Sequence, residues 1–214
     1  MPETLRITKP KLLIGEGKDE ENFFNALLKH MHTNDIQVLS SGGKDKNKFR
    51  VWMAAVVASS GFANTVTSIG ITRDADFAGN GTRGAFDSIC SSLKQPHADL
   101  PVPSALNQTA TAESKPAVRI FIMPDNQSEG MLENLLLRTL NADKELGCVQ
   151  DYFDCLKTKA SKEHPSHIQP KGLVYAWLAG QNPPDHDIGT SALDGIWNFD
   201  HPAFDALKAF IQAL

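Results

Sequence analysis

The sequence has no long apolar run, and this absence narrows the kind of protein that it encodes. No stretch of the 214 residues approaches the roughly 20 consecutive apolar residues of a membrane-spanning helix. The segment from Met1 to Arg6 also lacks the basic and then apolar pattern of a signal peptide. We therefore expect a cytoplasmic protein with no membrane partner.

Cysteine is scarce too, since only Cys90, Cys148 and Cys155 occur. An odd number of widely spaced cysteines argues against a disulfide framework and is typical of a reducing compartment. We expect these residues to be small members of the core. A zinc site with His164 and His167 is disfavoured, because the spacing does not match the paired ligands of zinc fingers.

Positive charge is not in excess. The chain has 21 Lys and Arg against 25 Asp and Glu, a formal net charge of -4, which excludes a global attraction to nucleic acid. A polyanion would have to be bound by local contacts. One basic cluster exists, with Lys44, Lys46, Lys48 and Arg50 after a predicted strand. A solvated turn explains most of those charges more simply.

What the chain does have is a regular alternation of strand and helix patterns. Four apolar runs predict strands, at Lys11 to Gly15, Ile36 to Ser40, Val66 to Thr72 and Val118 to Met123. The intervening segments have helical spacing, and a weak fifth strand is predicted near Leu106 to Ala110. This order predicts an α/β fold, a mostly parallel central sheet of about four to five strands with helices on both faces.

Helical patterns occur in both parts of the chain, whereas the strong strand patterns occur only in the first part. In the first part, the helix from Asn47 to Ser59 is expected to bury Val51, Trp52, Ala55 and Val56. In the second part only helical patterns recur. We therefore predict an α/β core over residues 1–145 and a helical C-terminal extension over residues 146–214 that packs on the core.

Acidic side chains follow two of the predicted strands. Glu16 comes after the first strand, and Asp74 and Asp76 come at the end of the third. Residues two apart in a strand point the same way, so both aspartates can face one ion. Because Mg²⁺ prefers oxygen ligands, a shared pocket at neighbouring strand ends would suit it. A polar turn after the strand is the simpler alternative for the two aspartates.

The segment around Glu16 also favours an anion. Gly15 and Gly17 allow a tight turn into a helix, and the N–H groups at a helix N-terminus attract phosphate. Glu20 lies in the first turn of that helix, where stabilisation of the helix dipole is an alternative role.

Together these motifs resemble the Toprim domain, a metal-dependent nucleic-acid module. Toprim domains occur in topoisomerases, bacterial primases, small ribosomal-RNA maturation nucleases and overcoming-lysogenization-defect (OLD) nucleases. The match consists of Glu16 with Gly17, Glu20, and Asp74-Ala75-Asp76. Further segments resemble small stand-alone Toprim-like proteins of unknown function that are related to the OLD nucleases, namely Met123 to Asn126, Gly130 to Glu133, Lys171 to Ala179, and Gly189 with Thr190.

The resemblance implies roles for individual residues. Glu16 would be a metal ligand or general acid/base, Asp74 and Asp76 metal ligands, and Glu20 and Glu133 ligands of a second ion. The cofactor would be Mg²⁺ or Mn²⁺. Lys171 is the candidate for the lysine that assists catalysis in the OLD nucleases, although an exposed position at the start of a helix explains it as well. We further predict phosphate or nucleic-acid contacts from Gly17, Lys18, Lys44 and Arg73.

The implied activity is metal-dependent cleavage or transfer of nucleic-acid phosphodiesters, on DNA or RNA. A topoisomerase mechanism is disfavoured, because Tyr152 and Tyr175 both lie in apolar helical patterns. One alternative is a non-catalytic protein that binds a nucleotide or nucleic acid through the same metal in a defence or regulatory complex, with a partner protein or as a homo-oligomer. A lower alternative is a haloacid-dehalogenase-like phosphatase with Asp74 as nucleophile, in which Glu16 would have no role.

Overall fold

The computed structural model describes residues 5–43, 45–75, 81–94, 99–165, 168–184 and 186–214. Its sheet has four parallel strands, β1 (Lys11–Gly15), β2 (Ile36–Ser40), β3 (Ser68–Asp74) and β4 (Ala117–Met123). The strand order is β2-β1-β3-β4. The predicted α/β fold with a parallel sheet is thereby confirmed. In place of the weak fifth strand there is an isolated antiparallel bridge between Ala110 and Val118.

Helices connect the strands and form the C-terminal part. The first five are α1 (Lys18–His30), α2 (Lys46–Val57), α3 (Phe62–Thr65), α4 (Gly81–Leu93) and α5 (Leu132–Thr139). The others are α6 (Lys144–Ala160), α7 (Gln169–Leu178), α8 (Ile188–Leu193) and α9 (Asp205–Gln212). Among the described residues, no helix is both long and apolar enough to cross a membrane.

Helices cover both faces of the sheet, because alternate strand residues are apolar on each side. Leu13 and Phe121 point to one face, where they share a core with α1, α5 and the C-terminal helices α7, α8 and α9. Ile14 and Ile71 point to the other face, against α2, α3 and α4. The C-terminal helices thus complete the core on one side of the sheet. The boundary at residue 145 stays a prediction.

The prediction for the buried side of α2 was right only in part, since Val56 is buried and Trp52 is partly buried against the core, but Val51 and Ala55 are not. Helix α2 buries Phe49, Met53 and Val56, whereas Val51 is 67% exposed and Ala55 is also exposed. The helix is rotated relative to the prediction because the i, i+4, i+7 series from Phe49 contacts the sheet.

The prediction that all three cysteines belong to the core was also right only in part. Cys90 is buried, but Cys148 and Cys155 are exposed. Both exposed cysteines lie on α6, of which only Leu146 is buried. Helix α6 contacts the core along one side only, through Leu146 and the half-buried Val149, so positions on its other side lie in solvent whatever their polarity.

Candidate functional site: an acidic cleft at the carboxyl ends of the strands

A cleft of about 440 Å³ opens at the carboxyl edge of the sheet. In a parallel sheet this edge is the usual ligand site, since all strands end there and helices begin there. Residues from β1, β3, α1, α5, α7 and α8 line the cleft: Glu16, Gly17, Lys18, Asp19, Glu20, Asp74, Met131, Leu132, Glu133, Ile168, Lys171 and Ile188. Seven of the residues predicted from the sequence are in this set.

Glu16 lies at the base of the cleft, one residue beyond β1, and is only 6% exposed. Its Oε1 atom accepts a hydrogen bond from the backbone N–H of Asp74 at 3.4 Å. The same oxygen lies 3.6 Å from Nε of Arg73, which is itself buried. The ends of β1 and β3 are therefore joined through the Glu16 carboxylate, as the predicted proximity of Glu16 and Asp74 requires.

Asp74 connects the end of β3 to the start of α5. Its Oδ1 atom accepts a hydrogen bond from the N–H of Leu132 at 3.1 Å, at the helix N-terminus. The next residue of that helix, Glu133, is 6% exposed, and its Oε1 atom lies 3.8 Å from the Lys171 ammonium on α7. Carboxylates from three separate segments thus converge on one cleft, with a cation from the C-terminal part beside them.

The first turn of α1 forms another side of the cleft. Glu20 Oε2 accepts a hydrogen bond from the N–H of Gly17 at 2.9 Å, so this carboxylate caps its own helix. Close packing explains why position 15 is a glycine, since a Cβ there would lie 3.0 Å from Cβ of Glu20. The Lys18 side chain is exposed and pairs with Glu21 at 2.8 Å. This turn brings one exposed cation and several carboxylates to the cleft rim.

The Pro124-Asp125-Asn126 segment shapes the loop that precedes α5. Asp125 accepts hydrogen bonds from the N–H groups of Gln127 and Ser128 and pairs with Arg138 at 2.7 Å. The Asn126 side chain accepts from the N–H of Ile122 at 2.6 Å and is buried. These hydrogen bonds hold the loop in one conformation. The loop leads into α5, and so they help to place Glu133 at the cleft.

Three of the predicted site residues are not found among the described residues of the cleft lining. Asp76 and Lys44 lie outside the described residues. Arg73 is not among the residues that line the cleft. Its guanidinium lies 4.8 Å from the ring centroid of Phe49, on the face of the sheet that α2 covers. The predicted phosphate contact of Arg73 stays a prediction, and the observed position is that of a counterion beneath Glu16.

Sequence reasoning missed several cleft residues. Asp19 directly precedes Glu20, and the resemblance to Toprim domains selected Glu20 alone. Tyr175 donates a hydrogen bond to Asp19 at 3.1 Å and lies four residues after Lys171, a spacing that puts both on one helix face. That spacing was a usable signal. Ile168 and Ile188 had no signal, because only tertiary packing brings them to the cleft.

The donor set of the cleft fits a hard divalent cation in its chemistry. Glu16, Asp74, Glu133 and Glu20 supply carboxylate oxygens, the ligand type of Mg²⁺ and Mn²⁺. In the part of the chain that the structure describes, which omits Asp76, no three His, Cys, Asp or Glu are already grouped as a metal site. Glu16 and Glu133 instead lie beside the cations of Arg73 and Lys171.

Comparisons with known proteins identify the family. A family model described as a protein of unknown function (DUF3226) matches residues 10–214. The chain belongs to this family. No curated protein matches it.

Two solved structures are similar to the chain. One is the C-terminal region of the OLD protein of Xanthomonas campestris pv. campestris, with 12% identity, a TM-score of 0.50 and coverage of 97% of each chain. The other is the C-terminal region of the Burkholderia pseudomallei OLD protein, with 13% identity, a TM-score of 0.46 and coverage of 97% of this chain and 99% of that chain. The first is a likeness of fold, and at that level it agrees with the predicted relation to OLD proteins.

Proposed function

We propose that the protein is a metal-dependent enzyme of the Toprim type that cleaves or transfers nucleic-acid phosphodiesters. The observation that carries the proposal is the convergence of Glu16, Asp74 and Glu133 on one cleft at the carboxyl edge of the sheet. The motif resemblance to Toprim domains and the fold likeness to an OLD protein support the same assignment.

Each residue of the cleft has a role in this proposal. Glu16, Asp74 and Glu133 would hold a divalent ion, and Glu20 lines the same cleft. When bound, Mg²⁺ or Mn²⁺ would lower the pKa of water and stabilise negative charge on a leaving oxygen. The Asp74 carboxylate would be oriented for this by its hydrogen bond from Leu132.

The cations of the cleft would bind the substrate. The Lys171 ammonium is available for a phosphate because its side chain is 58% exposed and its contact with Glu133 is long, at 3.8 Å. Lys18 lies at the rim, and the N–H groups of the first turn of α1 favour an anion there. Two lysines are a small set for a long nucleic acid, since each phosphate contact usually needs a cation. The proposed substrate is therefore short, or is bound at one end.

Cleavage assays of the purified full chain test the proposal. End-labelled single- and double-stranded DNA and RNA are incubated with Mg²⁺, with Mn²⁺ and with a chelator. We expect cleavage that requires the metal and falls at least about 100-fold in Asp74→Ala. Asp87→Ala is the matched control, because Asp87 is a surface residue paired with Arg83. Cleavage that survives Asp74→Ala would contradict the mechanism.

The second candidate is metal-dependent binding of a nucleotide or nucleic acid without catalysis. It is favoured by the charge balance of the chain, 21 Lys and Arg against 25 Asp and Glu, because a nuclease with a long footprint usually needs a cation for each phosphate contact. Binding of Mn²⁺ and of a labelled oligonucleotide, with no cleavage under any condition above, would support this candidate over the enzyme. The phosphatase alternative gains no support, since Glu16 contacts Asp74 directly and so belongs to the same site.

A further inference from the structure

Tyr175 lies behind the cleft, where it contacts both the first turn of α1 and the start of α7. Its hydroxyl donates a hydrogen bond to Asp19 Oδ2 at 3.1 Å, across 156 residues of sequence. Asp19 itself lines the cleft between Lys18 and Glu20. The hydroxyl therefore fixes a carboxylate in the turn that forms one side of the cleft.

The ring of Tyr175 has a different neighbour. The Lys171 ammonium lies 6.0 Å from the ring centroid and 3.8 Å from Glu133 Oε1. A lysine side chain has a flexible four-carbon stem, so its charge is located only by what surrounds it. Here the Tyr175 ring and the Glu133 carboxylate both attract the ammonium, and these two contacts bias it toward the cleft.

The hydroxyl is a stable donor. Burial of Tyr175, together with the negative charges of Asp19 and Glu133, raises its pKa well above the usual range for tyrosine. An ordinary tyrosine is already protonated at neutral pH, so the phenol can donate to Asp19, and the raised pKa of Tyr175 extends this to more alkaline pH.

From these contacts we propose that Tyr175 is a positioning residue, whose hydroxyl holds Asp19 and whose ring holds the Lys171 ammonium beside Glu133. Its catalytic consequence rests on the proposed function, whereas its effect on Lys171 does not. Through this one side chain, a helix of the C-terminal part influences the charge arrangement in a cleft at the carboxyl edge of the sheet.

The effect on Lys171 can be measured without a substrate. Amine acetylation rates of individual lysines are determined by mass spectrometry for the wild type, Tyr175→Phe and Tyr175→Leu, with Lys29 as internal reference. Phenylalanine keeps the ring, so Lys171 should react as in the wild type. In Tyr175→Leu we expect acetylation about threefold faster, the factor that corresponds to a cation–π contact at an exposed site.

Two results would overturn the role of the ring. One is equal acetylation of Lys171 in all three proteins. The other is faster acetylation in Tyr175→Leu together with faster amide hydrogen exchange throughout α7, since Tyr175 would then only pack the helix. Faster acetylation with unchanged exchange of α7 supports the proposal.

The hydroxyl is tested by kinetics in Tyr175→Phe. We expect kcat to fall about 3- to 10-fold with KM within about twofold, because misplacement of a cleft group affects the chemical step more than binding. An unchanged kcat would overturn the role of the hydroxyl.

If the wild type cleaves nothing while the acetylation pattern holds, the proposed function fails and the role of the ring stands. If Asp74-dependent cleavage occurs while all three proteins acetylate and turn over alike, the proposed function stands and the role of Tyr175 fails.

Discussion

Asp74 Oδ1 accepts a hydrogen bond from the N–H of Leu132 at 3.1 Å, which ties the end of β3 to the first turn of α5. This residue is therefore both a candidate ligand and the cap of a helix N-terminus, where unpaired N–H groups need an acceptor. The two roles can be separated by substitution, because an amide replaces the acceptor but not the negative charge.

Asp74→Asn and Asp74→Ala should differ in stability but not in metal binding. Asparagine keeps an oxygen for the N–H of Leu132, so its free energy of unfolding should stay within about 0.5 kcal/mol of the wild type. Alanine loses the cap and should cost about 1 kcal/mol. Both variants should lose most of the affinity for Mn²⁺. Urea unfolding and Mn²⁺ titration measure the two effects, and equal stability of Asp74→Ala and the wild type would show that the cap contributes nothing.

Arg73 should be a structural counterion of Glu16. Its guanidinium lies 3.6 Å from Glu16 Oε1 and 4.8 Å from the Phe49 ring centroid, with both charged groups buried. Removal of one member of a buried ion pair leaves the other less compensated, so Arg73→Met should lower the free energy of unfolding by about 3 kcal/mol. Chemical unfolding measures the loss.

The double variant Arg73→Met with Glu16→Gln isolates the charge. It should recover more than half of that loss, because no buried carboxylate is then left beside an apolar group. Arg83→Met is the control, since Arg83 is an exposed arginine in an i, i+4 pair. A loss in Arg73→Met that the second substitution does not restore would indicate that Arg73 acts through packing on Phe49 alone.

The strands could be predicted from the sequence because each is a short apolar run bounded by glycine, proline or polar residues. The predicted runs at Lys11–Gly15 and Ile36–Ser40 coincide with β1 and β2. Since carboxyl ends of parallel strands share an edge, the proximity of Glu16 and Asp74 followed from the fold class. The orientation of α2 did not, because several of its faces carry apolar residues and only contact with the sheet selects Phe49 and Met53.

The contribution of the C-terminal helices to the cleft could not be predicted. Lys171 was a candidate through family resemblance, but its partners Glu133 and Tyr175 depend on how α7 packs against α5 and α1. Such packing is determined by side-chain shape over the whole core, and no local pattern encodes it. The face toward which Arg73 points follows from strand alternation with Ile71, whereas its contact with Phe49 of α2 is a tertiary property.

Gly189→Ala should displace α8 from α1 and disturb the cleft. A Cβ at Gly189 would lie 2.7 Å from Cβ of Asn22, which is closer than real Cβ contacts, and 3.0 Å from the backbone oxygen of Asp19, which is a tight contact. The neighbouring Ile188 lines the cleft. We expect a loss of about 1–3 kcal/mol in the free energy of unfolding, as for other overpacked sites.

Gly147→Ala is the matched control for Gly189→Ala. A Cβ at Gly147 would meet nothing within 4 Å, and the residue lies inside α6. The substitution should therefore stabilise the protein by about 0.5–1 kcal/mol, because alanine favours a helix over glycine. Thermal or urea unfolding compares the two variants. If Gly189→Ala were as stable as Gly147→Ala, the close approach of α8 to α1 would be contradicted.

The loop before α5 should depend on pH through Asp125. Burial of Asp125 disfavours its charged form, but the Ser128 N–H, the Arg138 guanidinium and the Gln127 N–H outweigh burial and hold the pKa of Asp125 below its usual range. A carboxyl with a lower pKa in the folded state adds stability above its unfolded pKa, and this stability is lost as pH falls through the folded pKa.

Asp125→Asn removes that titration and should therefore change the pH profile of stability. The wild type should exceed the variant by about 1 kcal/mol at neutral pH, the contribution of a charged hydrogen-bond acceptor, and the difference should shrink below about pH 4. Urea unfolding between pH 3 and pH 7 measures it, with Glu113→Gln as an exposed control. A difference that stays constant over this range would contradict the lowered pKa, and would mean that Asp125 orders the loop by hydrogen-bond geometry and not by charge. Because this loop delivers Glu133 to the cleft, the same variant should also weaken Mn²⁺ binding if the loop is a determinant of the site.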